Sequence, residues 1–297
     1  MQIHEFNRIG AFLLGALLCA APVNAALSQK QARKLISKAA GMSLPTSAIR
    51  IESINSTNES TVEVATELAL VFRFSRDDAG RWRIREVRLG EARWEDVKQI
   101  TQVARVDIDP NKCDPADEFG RVISQSDLKA KQARCLVANL FDVVLPSDAV
   151  RIKEVSGLSL GSQPSAIVET LVRADFRLQK SEREWRVSEF RSGNRPWINL
   201  DPFPAALDSL KRTQTAADMN SIATALEAFH RARGSFVIAK KHAVLIDHLS
   251  PGYLQKVIRL DAWQRPYSYQ GDQDHFILRS SGPDGKENTP DDIVVSR

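Results

Sequence analysis

Residues 61–74 read TVEVATELALVFRF, and residues 166–178 read AIVETLVRADFRL. Both stretches are long and rich in Val, Leu and Thr, a composition that favours β-strands. A helix-like segment and a shorter strand-like segment precede each stretch, and another strand-like segment follows it. The pattern therefore predicts an α+β fold organised around antiparallel sheet.

The two stretches belong to a longer internal duplication. QARKLI at 31–36 corresponds to QARCLV at 132–137, and LPTSAIRI at 44–51 corresponds to LPSDAVRI at 145–152. Both correspondences have an offset of 101 residues, and two pairs of tryptophans further along have an offset of 103. A match of this length predicts a duplicated module. We place the first copy in residues 26–105 and the second in residues 106–200.

Each copy is predicted to be an α-β-β-β module, with a helix lying across a curved antiparallel sheet. The predicted helices cover 28–41 and 127–143, and a Leu-Pro pair is expected to end each one, because proline disfavours the helical conformation in the residue before it. The predicted strands cover 48–54, 61–74 and 81–89 in the first copy, and 149–155, 166–178 and 184–191 in the second.

The third predicted strand has two different faces. Trp82 alternates with Ile84, so we expect Trp82 to face the helix. Arg81, Arg83 and Arg85 share the opposite face. They either bind an acidic partner, as in an oligomeric assembly factor, or form a solvated surface.

The N-terminus is typical of a Sec signal peptide. The apolar run AFLLGALLCAAPV occupies residues 11–23, and Asn24 and Ala25 follow it. Val23 and Ala25 are therefore the small residues at positions −3 and −1 of the expected cleavage site. As a helix this run is shorter than the hydrocarbon core of a bilayer. We therefore expect residues 1–25 to be removed and no stable membrane span to remain, with a retained anchor as the alternative. The expected location is periplasmic or secreted, in a bacterial cell envelope.

The cysteines fit an oxidising compartment. Removal of residues 1–25 would leave only Cys113 and Cys135, which lie 22 residues apart. We predict a disulfide bond between them, with two separate thiols as the alternative.

Composition excludes several classes of protein. The 297 residues are 43% hydrophobic and 26% charged, which is ordinary for a folded protein and excludes a polytopic membrane protein. A net charge of +4 is too small to indicate a nucleic-acid partner. No histidine occurs between Ala26 and Phe229, and no Gly-rich phosphate loop is found. The duplicated region therefore has no recognisable catalytic motif.

The last hundred residues follow a different pattern. A helix is predicted from Pro202 to Arg233, ending at a glycine. DAWQRPYSY at 261–269, a strand at 276–279 and SSGPDGKENTPDDI at 280–293 follow. This order resembles the soluble domain of the G-type major pseudopilin of type II secretion systems, over about residues 205–295. The resemblance implies a pilin-like α+β domain in residues 201–297, with a long helix and a small antiparallel sheet.

The resemblance also implies a calcium site, because the aspartate loop binds calcium in that family. Asp284, Asp291 and Asp292 would supply carboxylates, and Ser281 and Lys286 would supply backbone carbonyls. Calcium takes six to eight oxygen ligands, and three carboxylates on one loop repel one another unless a cation joins them. The alternative is a solvated acidic turn. The implied role of the calcium is structural.

Two features depart from the family. Ala262 and Gln264 stand where the family prefers Pro and Gly, so we expect a looser turn there. Gly15 stands where a prepilin has its glutamate, so the chain lacks the usual start of a filament subunit.

These observations predict an exported, non-enzymatic binding or structural protein with a calcium-stabilised pseudopilin-like domain. We expect protein partners, including components of type II secretion or pilus machinery, and no nucleic acid. The alternative is a hydrolase-like periplasmic enzyme with its site in the duplicated sheet modules.

Overall fold

A computed structural model of the chain describes residues 27–91, 93–109, 111–114, 127–156, 164–182, 184–239 and 242–297. The predicted signal peptide at 1–25 lies outside these residues. The helices are α1 (Gln29–Ile36), α2 (Val97–Ala104), α3 (Ala130–Phe141), α4 (Phe203–Arg233) and α5 (His242–Leu249). The strands are β1 (Ile49–Asn58), β2 (Thr61–Arg76), β3 (Trp82–Arg88), β4 (Trp94–Asp96), β5 (Val150–Ser156), β6 (Ser165–Ser181), β7 (Glu184–Arg191), β8 (Ile198–Asn199), β9 (Ser268–Gly271), β10 (Phe276–Ser280) and β11 (Ile293–Ser296).

α1 and α3 end earlier than the Leu-Pro pairs that follow them predict. α1 begins with a capping box, in which the Ser28 side chain and Gln31 satisfy each other's backbone N–H groups. It stops at Ile36, and Ala40 just beyond has a φ of +50°. α3 stops at Phe141, where Asp142 takes a left-handed conformation with a φ of +54°. The prediction that proline ends these helices was therefore wrong. A left-handed residue ends α3, whereas α1 ends at its C-cap residue Ser37, before the left-handed Ala40 and well before its proline.

The strands on both sides of the predicted module boundary form one sheet. Its order is β4-β3-β2-β6-β7-β8, with β1 also paired to β2 and β5 to β6. β2 and β6 run antiparallel along their whole length, from Thr61↔Gln179 to Ser75↔Ser165. The two long strands therefore join the halves at the centre of the sheet.

The pairing at this centre relates the two halves symmetrically. Leu68 pairs with Val172, and Ala69 pairs with Leu171. With the offset of 103 residues, Leu68 corresponds to Leu171 and Ala69 to Val172. Each strand thus meets its counterpart as two strands do across a local two-fold axis. The duplication itself stays an inference from the sequence.

One face of the large sheet is buried and carries a single core for both halves. β2 and β6 alternate buried and more exposed residues along most of their length, as a sheet covered on one side requires. The fully buried residues of these strands include Val64, Phe74, Val168 and Leu178. They lie in the same hydrophobic cluster as residues of α1 and α3. Trp82 is 1% exposed, which confirms that it belongs to the core.

The C-terminal region has its own core. The small sheet has the order β11-β10-β9, and α4 and α5 pack against it. Met219, Ile222, Leu226 and Phe276 are almost completely buried in this second cluster. The predicted α+β class is therefore confirmed, as is a long helix followed by a small antiparallel sheet. No helix in the described ranges is both long enough and apolar enough to cross a membrane.

Candidate functional site

The three predicted aspartates lie around one hydroxyl group. The Oγ1 atom of Thr289 is 2.5 Å from Oδ1 of Asp291, and 3.4 Å from Oδ1 of both Asp284 and Asp292. The backbone oxygen of Lys286 is 3.1 Å from the same hydroxyl. The loop between β10 and β11 therefore brings together four of the five predicted calcium-ligating residues.

This group contains more acceptors than donors. A threonine hydroxyl carries one proton, so it donates one hydrogen bond at a time to its four oxygen neighbours. Hydrogen bonds from Thr289 and from the backbone N–H of Asp284 lower the pKa of Asp291, so its carboxylate is charged at neutral pH. Several oxygens with a net negative charge are the donor set that calcium prefers.

Other contacts of the loop differ from the implied ligand set. The carbonyl of Ser281 accepts a hydrogen bond of 3.1 Å from the N–H of Gly285, so it is used within the turn. Oδ2 of Asp292 pairs with Arg279 at 2.9 Å. Among the residues that the structure describes, no three His, Cys, Asp or Glu side chains form a metal-binding group. The hydroxyl of Thr289 lies between the aspartates instead, and the spacing of the aspartates along the chain does not indicate this residue.

Arg265 connects the loop to the preceding turn. Its Nη2 atom donates to the carbonyl of Pro283 at 3.0 Å, and its Nη1 atom donates to the carbonyl of Gly282. On the other side, Arg212 of α4 donates to the carbonyl of Asp291 at 3.0 Å. Arginine side chains therefore brace both ends of the aspartate loop.

The turn before Arg265 is tightly held, which corrects the expectation of a loose turn. Oδ1 of Asp261 accepts hydrogen bonds of 2.9 Å from the N–H groups of both Trp263 and Arg265. Oδ2 of Asp261 accepts one of 2.6 Å from Ser280. Gln264 adopts a left-handed conformation with a φ of +64°, the backbone shape that makes glycine favourable at this position. The buried aspartate, rather than the turn residues alone, fixes the conformation.

The predicted disulfide is confirmed. The Sγ atoms of Cys113 and Cys135 are 2.09 Å apart, and their Cα atoms are 5.7 Å apart. Cys135 lies on α3, so the bond attaches the turn at 111–114 to the helix that covers the large sheet. The alternative of two separate thiols is thereby excluded.

The arginine face is mostly engaged with the same turn. Arg83 forms two hydrogen bonds, of 2.6 and 2.9 Å, with the carboxylate of Asp114, whose side chain is 1% exposed. Arg81 binds Asp77 at 3.0 Å and Asn111 at 2.9 Å. Arg85 is exposed and donates to Ser75 at 3.0 Å. Two of the three arginines therefore hold a turn of the same chain, which was not foreseen from the sequence.

A buried ion pair joins the C-terminal region to the large sheet. Nζ of Lys211 on α4 lies 2.5 Å from Oε2 of Glu95 on β4, and the two side chains are 3% and 1% exposed. Arg93 binds the other oxygen of Glu95 at 2.6 Å. Both cations therefore share one buried carboxylate, a contact between distant segments that periodicity does not reveal.

Comparison with known proteins gives one match. Residues 205–296 match the model of the family described as type II secretion system (T2SS), protein G. Neither the curated proteins nor the solved structures give a significant match. The matched segment begins within α4 and ends within β11, so it covers the long helix, the small sheet and the aspartate loop. The C-terminal third of this chain is therefore similar to type II secretion protein G over a long helix and a small antiparallel sheet, as the sequence predicted.

Proposed function

We propose that the chain is an exported, non-enzymatic binding or structural protein whose calcium-stabilised C-terminal domain acts with type II secretion or pilus machinery. The family match supports a secretion-related structural role and a location in the cell envelope or outside it.

The observation that carries the calcium proposal is the group of oxygens around Thr289. Asp284, Asp291 and Asp292 each direct one carboxylate oxygen to within 3.4 Å of its hydroxyl. A calcium ion would compensate these charges and connect the two ends of the loop between β10 and β11. The role of the ion would then be to keep the loop closed against α4.

The packing of α4 favours an accessory role over that of a filament subunit. Leu207 and Lys211, in the first turns of the helix, are buried. Lys211 contacts Glu95 of the large sheet. The N-terminal region of this chain covers these turns, so they are not free to pack against another subunit. We infer that the domain presents its small sheet and loop to a partner.

The calcium proposal is tested by calorimetric titration and by melting curves of the full chain. We expect a saturable heat with calcium and a higher melting temperature, and we expect both to be lost in Asp284→Asn and Asp291→Asn, because each substitution removes a charged ligand. Asp274→Asn is the matched control, since Asp274 is an exposed aspartate in another turn of the same domain. It should behave as the unmodified chain does.

Absence of a heat and of a melting shift in the unmodified chain would contradict the calcium site. The calcium site would also be contradicted if Asp274→Asn abolished the heat and the melting shift as fully as Asp284→Asn does. The effect of the substitutions would then reflect overall charge.

The secretion role is tested separately in cells that lack the chain. We expect type II substrates to accumulate in the periplasm, and we expect the unmodified chain to restore their release. A variant without residues 201–297 should not restore it. Normal release in the deletion strain would contradict the assignment to this machinery.

A further inference from the structure

A cavity of 170 Å³ lies beneath the buried face of the large sheet. The helices α2 and α4 and the end of α3 contribute to its walls. Its bulky lining residues include Phe72, Phe176, Phe190, Ile100, Phe141 and Leu207. Apart from two arginines, a threonine and a serine, all lining residues are apolar.

The size and lining of this cavity suit an apolar ligand. An engineered apolar cavity of roughly 150 Å³ stays free of water and binds benzene. An unfilled cavity also weakens a fold, because its lining loses packing contacts. The cavity lies between the two halves of the large sheet and α4, so filling it would stabilise the contact among all three.

Arg195 provides a polar group at this apolar site. Its Nη2 atom donates to the carbonyl of Asn139 at 3.0 Å and lies 3.5 Å from that of Leu140, at the end of α3. Its Nε atom is buried and has no hydrogen-bond partner. Within the described ranges, no carboxylate forms an ion pair with this guanidinium. Arg195 is half-buried and its hydrogen bonds go to carbonyl oxygens, so an anionic ligand group would gain a charge-assisted hydrogen bond here.

Arg93, the other arginine of the cavity wall, differs in this respect. It binds Glu95 at 2.6 Å and the carbonyl of Gly41 at 2.6 Å. Its charge is therefore already compensated. Arg195 is the arginine of this cavity whose Nε donor is both buried and without a partner.

We propose that this cavity binds a medium-chain aliphatic carboxylate, with the chain against the apolar wall and the carboxylate at Arg195. A carboxylate matches the planar guanidinium, and a single aliphatic chain matches a small lining of aromatic and aliphatic groups. This site is independent of the calcium loop and of the secretion role.

The proposal is tested by calorimetric titration of the full chain with decanoate. Decanol and decyltrimethylammonium have the same chain with a neutral or a cationic head. We expect one decanoate to bind per chain, about tenfold more tightly than decyltrimethylammonium, because one charge-assisted hydrogen bond is worth a factor of this order.

Variants separate the head group from the chain. Arg195→Met should weaken decanoate binding about tenfold and leave decanol binding nearly unchanged. Arg186→Met is the control, because Arg186 is a half-exposed arginine that pairs with Asp201 on the surface. Ala104→Trp and Leu140→Trp each fill the cavity from a different helix and should abolish binding of both ligands, with the melting curves of both variants checked for folding.

Two results would overturn the proposal. Decanoate binding that persists in a folded Ala104→Trp or Leu140→Trp variant would place the ligand outside the cavity. Equal affinity for decanoate in Arg195→Met and in the unmodified chain would remove Arg195 as the anion partner. Failure of either kind leaves the calcium and secretion experiments unaffected.

Discussion

Gln264 adopts a backbone conformation that is unfavourable for a residue with a side chain. Its φ is +64°, and in this left-handed region a residue with a Cβ atom is strained. We therefore expect Gln264→Gly to raise the free energy of unfolding by up to about 1 kcal/mol, the residual after glycine's greater entropy loss. Urea denaturation measures the change.

The control for this substitution lies nearby. Gln270 is in β9 and is exposed, so Gln270→Gly should destabilise the domain, because glycine weakens a strand. If both glycine variants destabilise the domain alike, the left-handed strain at Gln264 is refuted.

His242 is a buried residue that makes stability depend on pH. It is 7% exposed, it packs against the ring of Tyr267, and its Nε2 atom has no hydrogen-bond partner. Burial, together with the positive charge of Arg259, lowers the pKa of His242 to about 4 from its usual 6.5. The neutral form is therefore favoured in the folded chain, while the unfolded chain takes up the proton near pH 6.5.

The free energy of unfolding should consequently decrease as the pH falls from about 6.5 toward 4. Between pH 7 and pH 5 we expect a loss of roughly 2 kcal/mol from this residue, since one pKa unit corresponds to about 1.4 kcal/mol. His242→Leu should remove this component, as urea denaturation at both pH values would reveal. His275→Leu, at an exposed histidine, should retain it. An equal pH dependence in His242→Leu and the unmodified chain would be inconsistent with a buried neutral histidine.

At the scale of elements, the disulfide fixes a short turn to a helix. Cys113 precedes Asp114, whose buried carboxylate binds Arg83 on β3, and Cys135 lies on α3. Replacing both cysteines by serine should lower the free energy of unfolding by about 3 kcal/mol, because the loop is then no longer closed in the unfolded chain.

The comparison with a reducing agent isolates this effect. The melting temperature of the unmodified chain should fall when the bond is reduced, and that of Cys113→Ser/Cys135→Ser should not change. An unmodified chain whose melting is insensitive to complete reduction would contradict a stabilising role.

Most elements could be predicted from the sequence, because their patterns are local. The long strands at 61–74 and 166–178 are observed as β2 and β6, and the helix predicted from 202 is observed as α4. The short elements β4, β8 and α2 were not predicted. β4 and β8 contain three and two residues, too few for a periodic pattern, and their pairing with β3 and β7 decides their conformation. α2 packs against α4, a contact between segments far apart along the chain.

At the scale of the whole molecule, the Lys211–Glu95 pair connects the two cores. Lys211→Met should lower the free energy of unfolding by about 3 kcal/mol, because it leaves the buried charge of Glu95 with Arg93 alone. The double variant Lys211→Met/Glu95→Gln should recover part of this loss, since it removes the uncompensated charge.

Urea denaturation of the single and double variants measures the coupling. Lys256→Met is the surface control, because Lys256 is 4.0 Å from Asp218 and mostly exposed; it should change stability by less than about 1 kcal/mol. The two residues do not interact if Glu95→Gln lowers the free energy of unfolding by the same amount in Lys211→Met as in the unmodified chain.

In the candidate calcium site, some features could be predicted from the sequence and others depend on the folded loop. Asp284, Asp291 and Asp292 were identified from their spacing and from the family resemblance. The position of Thr289 between them, the use of the Ser281 carbonyl by Gly285 and the pairing of Asp292 with Arg279 depend on how the loop folds over β10. Such contacts involve backbone direction and side-chain reach, which residue spacing does not specify.

Local sequence patterns were enough to predict the main helices and strands, the α+β class, the cysteine pair and the resemblance of the C-terminal third to a pseudopilin domain. These features rest on hydrophobic periodicity, on composition and on a motif whose residues lie close together along the chain. Three features became visible only in the folded chain: β2 and β6 join the halves into one sheet, Lys211 pairs with Glu95, and a cavity with Arg195 lies under that sheet. These contacts join segments far apart along the chain, and their energies depend on burial and packing that arise only when the whole chain has folded.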